Sequence, residues 1–307
     1  MSSWNQSPAF EFAKDILLKR YPGFVYGQEL TNEEIPVFCL HSTTDVRFEA
    51  ILKFLSENGY NTLSATDVYK LLKGKITGPK KKVILTFDDG HGSLWTFAYP
   101  LLKKYGHVAT AFIVPGIVEE RDRYYPNLAD VWNGKALYDE IANRESGKQP
   151  FVTWEEIAEM SSSGTVDFQS HSYMHELIYT SPKIVNFLHS SLIARYSQFE
   201  IQSFISKKNG PSASIDNMLG MPLYESSPRM SGKLRYIDSE QVKDKCIDHV
   251  KRNGGESFFA RDGWEKNLMN IAQNCASYHK LKKSFETQKE RNEAIEYSLA
   301  KSKEILE

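Results

Sequence analysis

Apolar positions along this chain follow two rhythms. Short unbroken runs at 35–42 (IPVFCLHS), 83–87 (VILTF), 109–116 (ATAFIVPG) and 166–172 (VDFQSHS) predict strands buried on both faces. Between them lie segments with helical spacing. Residues 45–59 place Phe48, Ile51, Leu52 and Leu55 on one face, with Gly59 at the stop position. Ser64 with Asp67, and Thr153 with Glu156, read as capping boxes that open two more helices. A fourth helix over 94–106 contains Pro100, which must kink it or restart it. Strands alternating with helices predict βα units, a parallel sheet, and ligands at the carboxyl ends of the strands.

Two segments break this rhythm. Residues 117–150 are polar and aromatic and read as an excursion over the strand tops. Residues 176–285 form a longer insertion with a helix over 239–253. Residues 1–34 are expected to be a helical extension, and 35–307 the main domain. The chain closes on a helix from Thr287, with Glu290 completing its cap and Ile295, Leu299 and Leu306 predicted along one face. Only about four good strands precede it, too few for a closed barrel, so the expectation is an α/β fold of incomplete (β/α) barrel form lacking its C-terminal strands.

Composition narrows the function. There are 38 basic and 39 acidic residues, a net charge of −1, which argues against nucleic acid as a partner. Cys39, Cys246 and Cys275 are widely spaced with no CxxC pair, as free thiols in a reducing compartment are. With no signal-peptide pattern and no run of membrane-spanning length, the expectation is a cytoplasmic protein that can work at the inner face of the membrane.

The chemistry gathers at the strand ends. Asp88 and Asp89 adjoin in TFDDG, although side-by-side carboxylates repel each other and resist burial. His171 and His175, four apart in SHSYMH, would project together from one helical turn. Two imidazoles and one carboxylate make an open divalent-metal site, and the second carboxylate can take a proton from water. The spacing does not say which aspartate does which.

TFDDG and SHSYMH, together with PVFCLHS, ENGYNTLS, AYPLLKKYGHVATAFIVPG and VTWEEIAEMSSSG, resemble the polysaccharide deacetylase family, whose NodB homology domain defines carbohydrate esterase family 4. The resemblance runs from about residue 35 to 180, and the final helix resembles the segment before that family's third motif. It implies an incomplete barrel of the NodB type with a long insertion after the second motif. It also implies Asp89, His171 and His175 as ligands of a divalent metal, zinc above others, with Asp88 as general base. The implied reaction is removal of an N-acetyl group from an amino sugar, in a glycan or a lipid-linked envelope precursor. The family's later motifs supply an orienting arginine and a histidine acid, and no substitute for them is found here. The alternatives are therefore a catalytically impaired metal- or glycan-binding remnant, or another metallohydrolase such as a phosphoesterase. Among the aromatic and basic residues of the insertions, Tyr125, Trp132, Arg229 and Arg235 are candidates for meeting a sugar ring or a phosphate. The other reading is that they pack and solvate long loops.

Overall fold

Strand β3 (Lys82–Asp89) is the centre of the molecule, its first six residues buried and its two aspartates at the rim. A near-continuous apolar run suits a strand covered on both faces by crossover helices. In the computed structural model, which describes residues 14–18, 20, 26, 34–120, 124–145, 150–193, 215–278 and 284–307, β1 (Val37–Leu40) pairs with β3 on one side. On the other side β4 (Ala109–Ile113) pairs with β3, and β5 (Val166–Ser170) pairs with β4. The short β2 (Asn61–Thr62) joins only the start of β3. All these pairings are parallel, and β1 and β5 do not meet, so among the described residues the sheet is an open, incomplete (β/α) barrel.

The crossovers are helices α1 (Asp45–Glu57), α2 (Ala65–Leu72), α3 (Tyr99–Tyr105) and α6 (Trp154–Ser162). The capping boxes at Ser64 and Thr153 form as the sequence predicts. Pro100 restarts its helix: a π-helical turn at Leu94–Ala98 runs into α3, where Pro100 sits in the first turn and needs no amide partner. One core, including Phe48, Leu52, Leu85, Phe87, Leu102, Ile113 and Met160, joins these helices to the sheet. Strand β1 departs from the expectation of full burial. It has a single neighbour, and Val37 and Phe38 are 58% and 42% exposed.

The excursion at 117–150 carries two short helices, α4 (Leu128–Trp132) and α5 (Tyr138–Ala142). Its anchor is a buried ion pair. Arg144 donates from both terminal nitrogens to Glu156, at 3.0 and 2.8 Å, and to the Phe151 carbonyl at 2.7 Å. Glu156 also accepts from the Thr153 and Tyr125 amides.

The long insertion builds its own core. Strands β6 (Leu177–Phe187) and β7 (Pro222–Pro228) form an antiparallel ribbon. Phe187 from that ribbon packs with Val242, Cys246 and Val250 of α7 (Glu240–Arg252) and Leu268 of α8 (Trp264–Tyr278). A small β8 (Tyr236–Ile237) and β9 (Ser284–Phe285) pairing returns the chain to the final helix α9 (Gln288–Leu306). The predicted stripe on that helix is buried in part. Leu306 packs against the sheet core and Ile295 is half-buried, but Leu299 is 50% exposed, and Ser298 and the fully buried Ser302 meet Tyr173 and Ser170. Of the expected extension over 1–34, all but a helical turn at 14–17 and a few residues lies outside the described residues. No described helix is long and apolar enough to cross a membrane.

Removing one partner of a buried ion pair strands the other, so Arg144→Met should lower stability by about 3–5 kcal/mol. Arg144→Met combined with Glu156→Leu should lose less than Arg144→Met alone. Urea midpoints of the three proteins check both statements.

Candidate metal centre

Two chain turns make the centre. At the end of β3 the backbone enters the left-handed region, with φ of 70° at Asp89 and 81° at Gly90. The Gly90 carbonyl accepts from the Val152 amide at 3.0 Å, and the Gly92 amide donates to the Pro150 carbonyl at 2.6 Å. These bonds fasten the turn to the returning chain. The second turn leaves β5. The His171 amide donates to the Ile113 carbonyl at 2.7 Å, and Ser172 and His175 have φ of 65° and 45°. Residues 171–175 are therefore a loop and not the helical turn expected from the four-residue spacing. It folds this way because its neighbours hold it. The Gly116 amide donates to the Tyr173 carbonyl at 2.9 Å, and a Cβ at Gly116 would fall 2.7 Å from that carbonyl oxygen. From the other side, Ser298 of α9 accepts from the Tyr173 amide at 3.1 Å, and Ser302 meets the Ser170 hydroxyl at 2.6 Å.

The loop still brings the imidazoles together. The His171 and His175 rings stack at 5.0 Å between centroids. One donor atom from each of Asp89, His171 and His175 lies within 4.8 Å of the others. Asp89 Oδ1 is buried and accepts no hydrogen bond, with His171 Nε2 3.6 Å away. A buried carboxylate oxygen left without a hydrogen bond is costly in water-poor surroundings, and a cation between these donors removes the cost. The donor set fits a divalent metal. Burial, together with the nearby His171 and His41, holds the His175 pKa below its ordinary value against the pull of Asp89. That keeps the ring in the neutral form a metal needs.

Asp88 stands beside this set. Its Oδ2 accepts from the Cys39 thiol on β1 at 3.3 Å. Burial and the hydrogen bond to Asp88 raise the Cys39 pKa, which keeps the thiol a donor. Sequence reasoning missed this contact, because parallel pairing of β1 with β3 is what sets Cys39 opposite Thr86, two residues from Asp88. His91, which follows the pair in the chain, places its Nε2 3.8 Å from Asp89 Oδ2.

The four candidate substrate residues are not gathered here. Arg229 is buried and paired through both terminal nitrogens with Glu286, as two forked planar groups do when water is excluded. It is not available to a phosphate. Arg235 supplies its backbone amide to Glu286 at 2.7 Å, with its side chain in the same cluster. Tyr125 packs on the Arg144 guanidinium at 4.1 Å and donates its hydroxyl to Glu119. Trp132 is half exposed, on the wall of a separate cleft.

Residues 75–209 match the family model described as polysaccharide deacetylase. The poly-β-1,6-N-acetyl-D-glucosamine N-deacetylase of Escherichia coli K12 is 31% identical over 120 residues, 39% of this chain and 16% of that protein. The enzyme of the same name from Staphylococcus aureus MRSA252 is 31% identical over 139 residues, 45% of this chain and 39% of that protein. A solved de-N-acetylase from Aggregatibacter actinomycetemcomitans is 26% identical, with 48% of this chain and 58% of that one aligned at a TM-score of 0.37. The chain thus spans well under half the length of the two curated relatives.

Asp89→Asn and His175→Ala should each weaken zinc binding by at least about 100-fold, beyond the 10–100-fold typical of residues that only support ligands. Because the His175 pKa is lowered, its ring stays neutral below the usual histidine value of about 6.5. Zinc should accordingly be held at neutral pH and lost as acid protonates the ligands, since proton and metal compete for the same ring nitrogen. Equilibrium dialysis of the full chain from pH 8 to about 4.5 checks the order of events.

Proposed function

We propose that this chain, whose residues 75–209 match the polysaccharide deacetylase family model, removes N-acetyl groups from an amino-sugar glycan at the Asp89–His171–His175 centre. The observation that carries the reading is the convergence of three donor atoms within 4.8 Å, with Asp88 next to them in the chain. The relatives named for action on poly-N-acetyl-D-glucosamine support the substrate class.

Asp89, His171 and His175 would hold the ion, and zinc suits two imidazoles and a carboxylate. When bound, such an ion polarises the amide carbonyl and lowers the pKa of water toward neutrality. The protein's own part is proton handling and placement. The Cys39 thiol fixes one oxygen of Asp88, and the second oxygen takes the proton of the attacking water. The Asp88 carboxylate is half-buried, so it works close to the low-dielectric edge of the sheet, where charge on the reacting groups counts for more. His91, beside Asp89, adds a donor that can steady that carboxylate.

Incubation of the full chain and zinc with β-1,6-linked N-acetylglucosamine oligomers should release acetate. Asp88→Asn should lower kcat by roughly 10²–10⁴ while zinc content stays unchanged. Asp89→Asn should lose both. Zinc bound at full occupancy with no acetate released from these oligomers would overturn the reading.

A further inference from the structure

A cleft of about 630 Å³ runs along the outer side of α3, and none of Asp88, Asp89, His171 or His175 lines it. Its floor is a stack of three aromatic rings. Trp95 lies between Tyr99, at 5.3 Å and 17°, and Tyr124, at 5.4 Å and 21°. Trp95 and Tyr99 are buried, but Tyr124 is 52% exposed, so the outermost ring of the stack faces water. Trp132, 49% exposed, forms another wall. Two large rings left open to water in one concave surface forgo burial that would stabilise the fold, which suits a surface kept for a ligand.

The polar groups say what kind of ligand fits. Glu159 accepts from the Tyr99 hydroxyl at 3.1 Å, and Lys103 lies 3.3 Å from the same oxygen. Lys104 is already paired with Glu49 at 2.6 Å and sits 5.2 Å over the Trp132 ring. Two lysines therefore stand among acidic neighbours, and the cleft presents no surplus of positive charge to a phosphate. What remains is aromatic faces bordered by hydrogen-bonding groups of both kinds. A pyranose ring matches this, with a C–H face to stack and a rim of hydroxyls to pair.

We propose that this cleft binds sugar units of a neutral N-acetylated glycan away from the metal centre, gripping the polymer while a different unit is processed. The choice of an N-acetylated glycan rests on the deacetylase reading; the stacking argument for a sugar does not.

The test is calorimetric titration of the full-length zinc-loaded chain carrying Asp88→Asn, the parent here because it does not consume the ligand, with a β-1,6-linked N-acetylglucosamine hexamer. Trp132→Ala and Tyr124→Ala should each weaken hexamer binding about 10-fold, and Trp132→Phe should keep it within about threefold of the parent. Both residues are half exposed, so thermal melts of the variants should match the parent. Hexamer binding unmoved by both alanine variants overturns the proposal, as does no binding at millimolar hexamer. None of these results bears on acetate release, so this proposal and the hydrolytic one can fail separately.

Discussion

The buried, unbonded oxygen of Asp89 is the constraint around which the strand ends are organised. A carboxylate drawn partly out of water must find donors or a cation, and here it finds two imidazoles on a neighbouring turn. The non-glycine residues with left-handed backbone among those described are Asp89, Ser172 and His175, and all three lie in the two turns that make the centre. Such conformations each cost of order 1–3 kcal/mol and persist where the surroundings impose them. The imposing contacts are the Gly90–Val152 and Gly92–Pro150 bonds on one side, and Gly116, Ser298 and Ser302 on the other. The final helix thus does more than cover the sheet: it presses the histidine loop against β4 through serines.

That arrangement explains what the sequence could and could not reveal. Strand ends and helix caps are local, so β3, β4, β5 and the boxes at Ser64, Thr153 and Thr287 were legible from alternation and spacing alone. The triad was legible as residue types at strand ends, but the helix assumed for His171 and His175 was not, because its loop is fixed by contacts more than 100 residues away in sequence. The stripe on α9 was legible in part: Leu306 packs on the sheet core, whereas Leu299 stays exposed and the serines between the apolar positions, Ser298 and Ser302, meet a backbone amide and a serine hydroxyl. Arg229 looked like a phosphate ligand because nothing near it in the chain announces Glu286, 57 residues on.

Two cores divide the labour. The sheet and its crossover helices hold the metal residues on rigid ends. The insertion closes around Phe187, Val242 and Leu268 and stabilises itself. Placing an insertion between β5 and α9 separates two elements that must still pack together, so the β6–β7 ribbon and the β8–β9 pairing act as the route out and back. The Arg229–Glu286 pair ties the end of β7 to the residue just after β9, which joins that route at its base. Burial opposes the Glu286 charge, but the arginines outweigh it and hold the Glu286 pKa below the usual carboxylate range. The pair therefore adds stability above the ordinary glutamate pKa, and the contribution fades as pH falls through the lowered value.

The adjacent aspartates themselves are reconciled by backbone geometry. In a regular strand successive side chains point to opposite faces, and neighbours such as Asp88 and Asp89 could not serve one site. The strand pairing reaches Asp88 and Asp89, opposite Phe112 and Ile113, but the left-handed φ at Asp89 breaks the alternation at the last residue. One carboxylate then stays within reach of the β1 thiol while the other turns to the histidines. A single strained residue sends two mutually repelling groups to separate places, one accepting from the Cys39 thiol and the other among the histidine donors. A cation held by Asp89 and the two histidines would relieve the repulsion that makes the pair anomalous in sequence, at the place where the proposed hydrolysis needs charge.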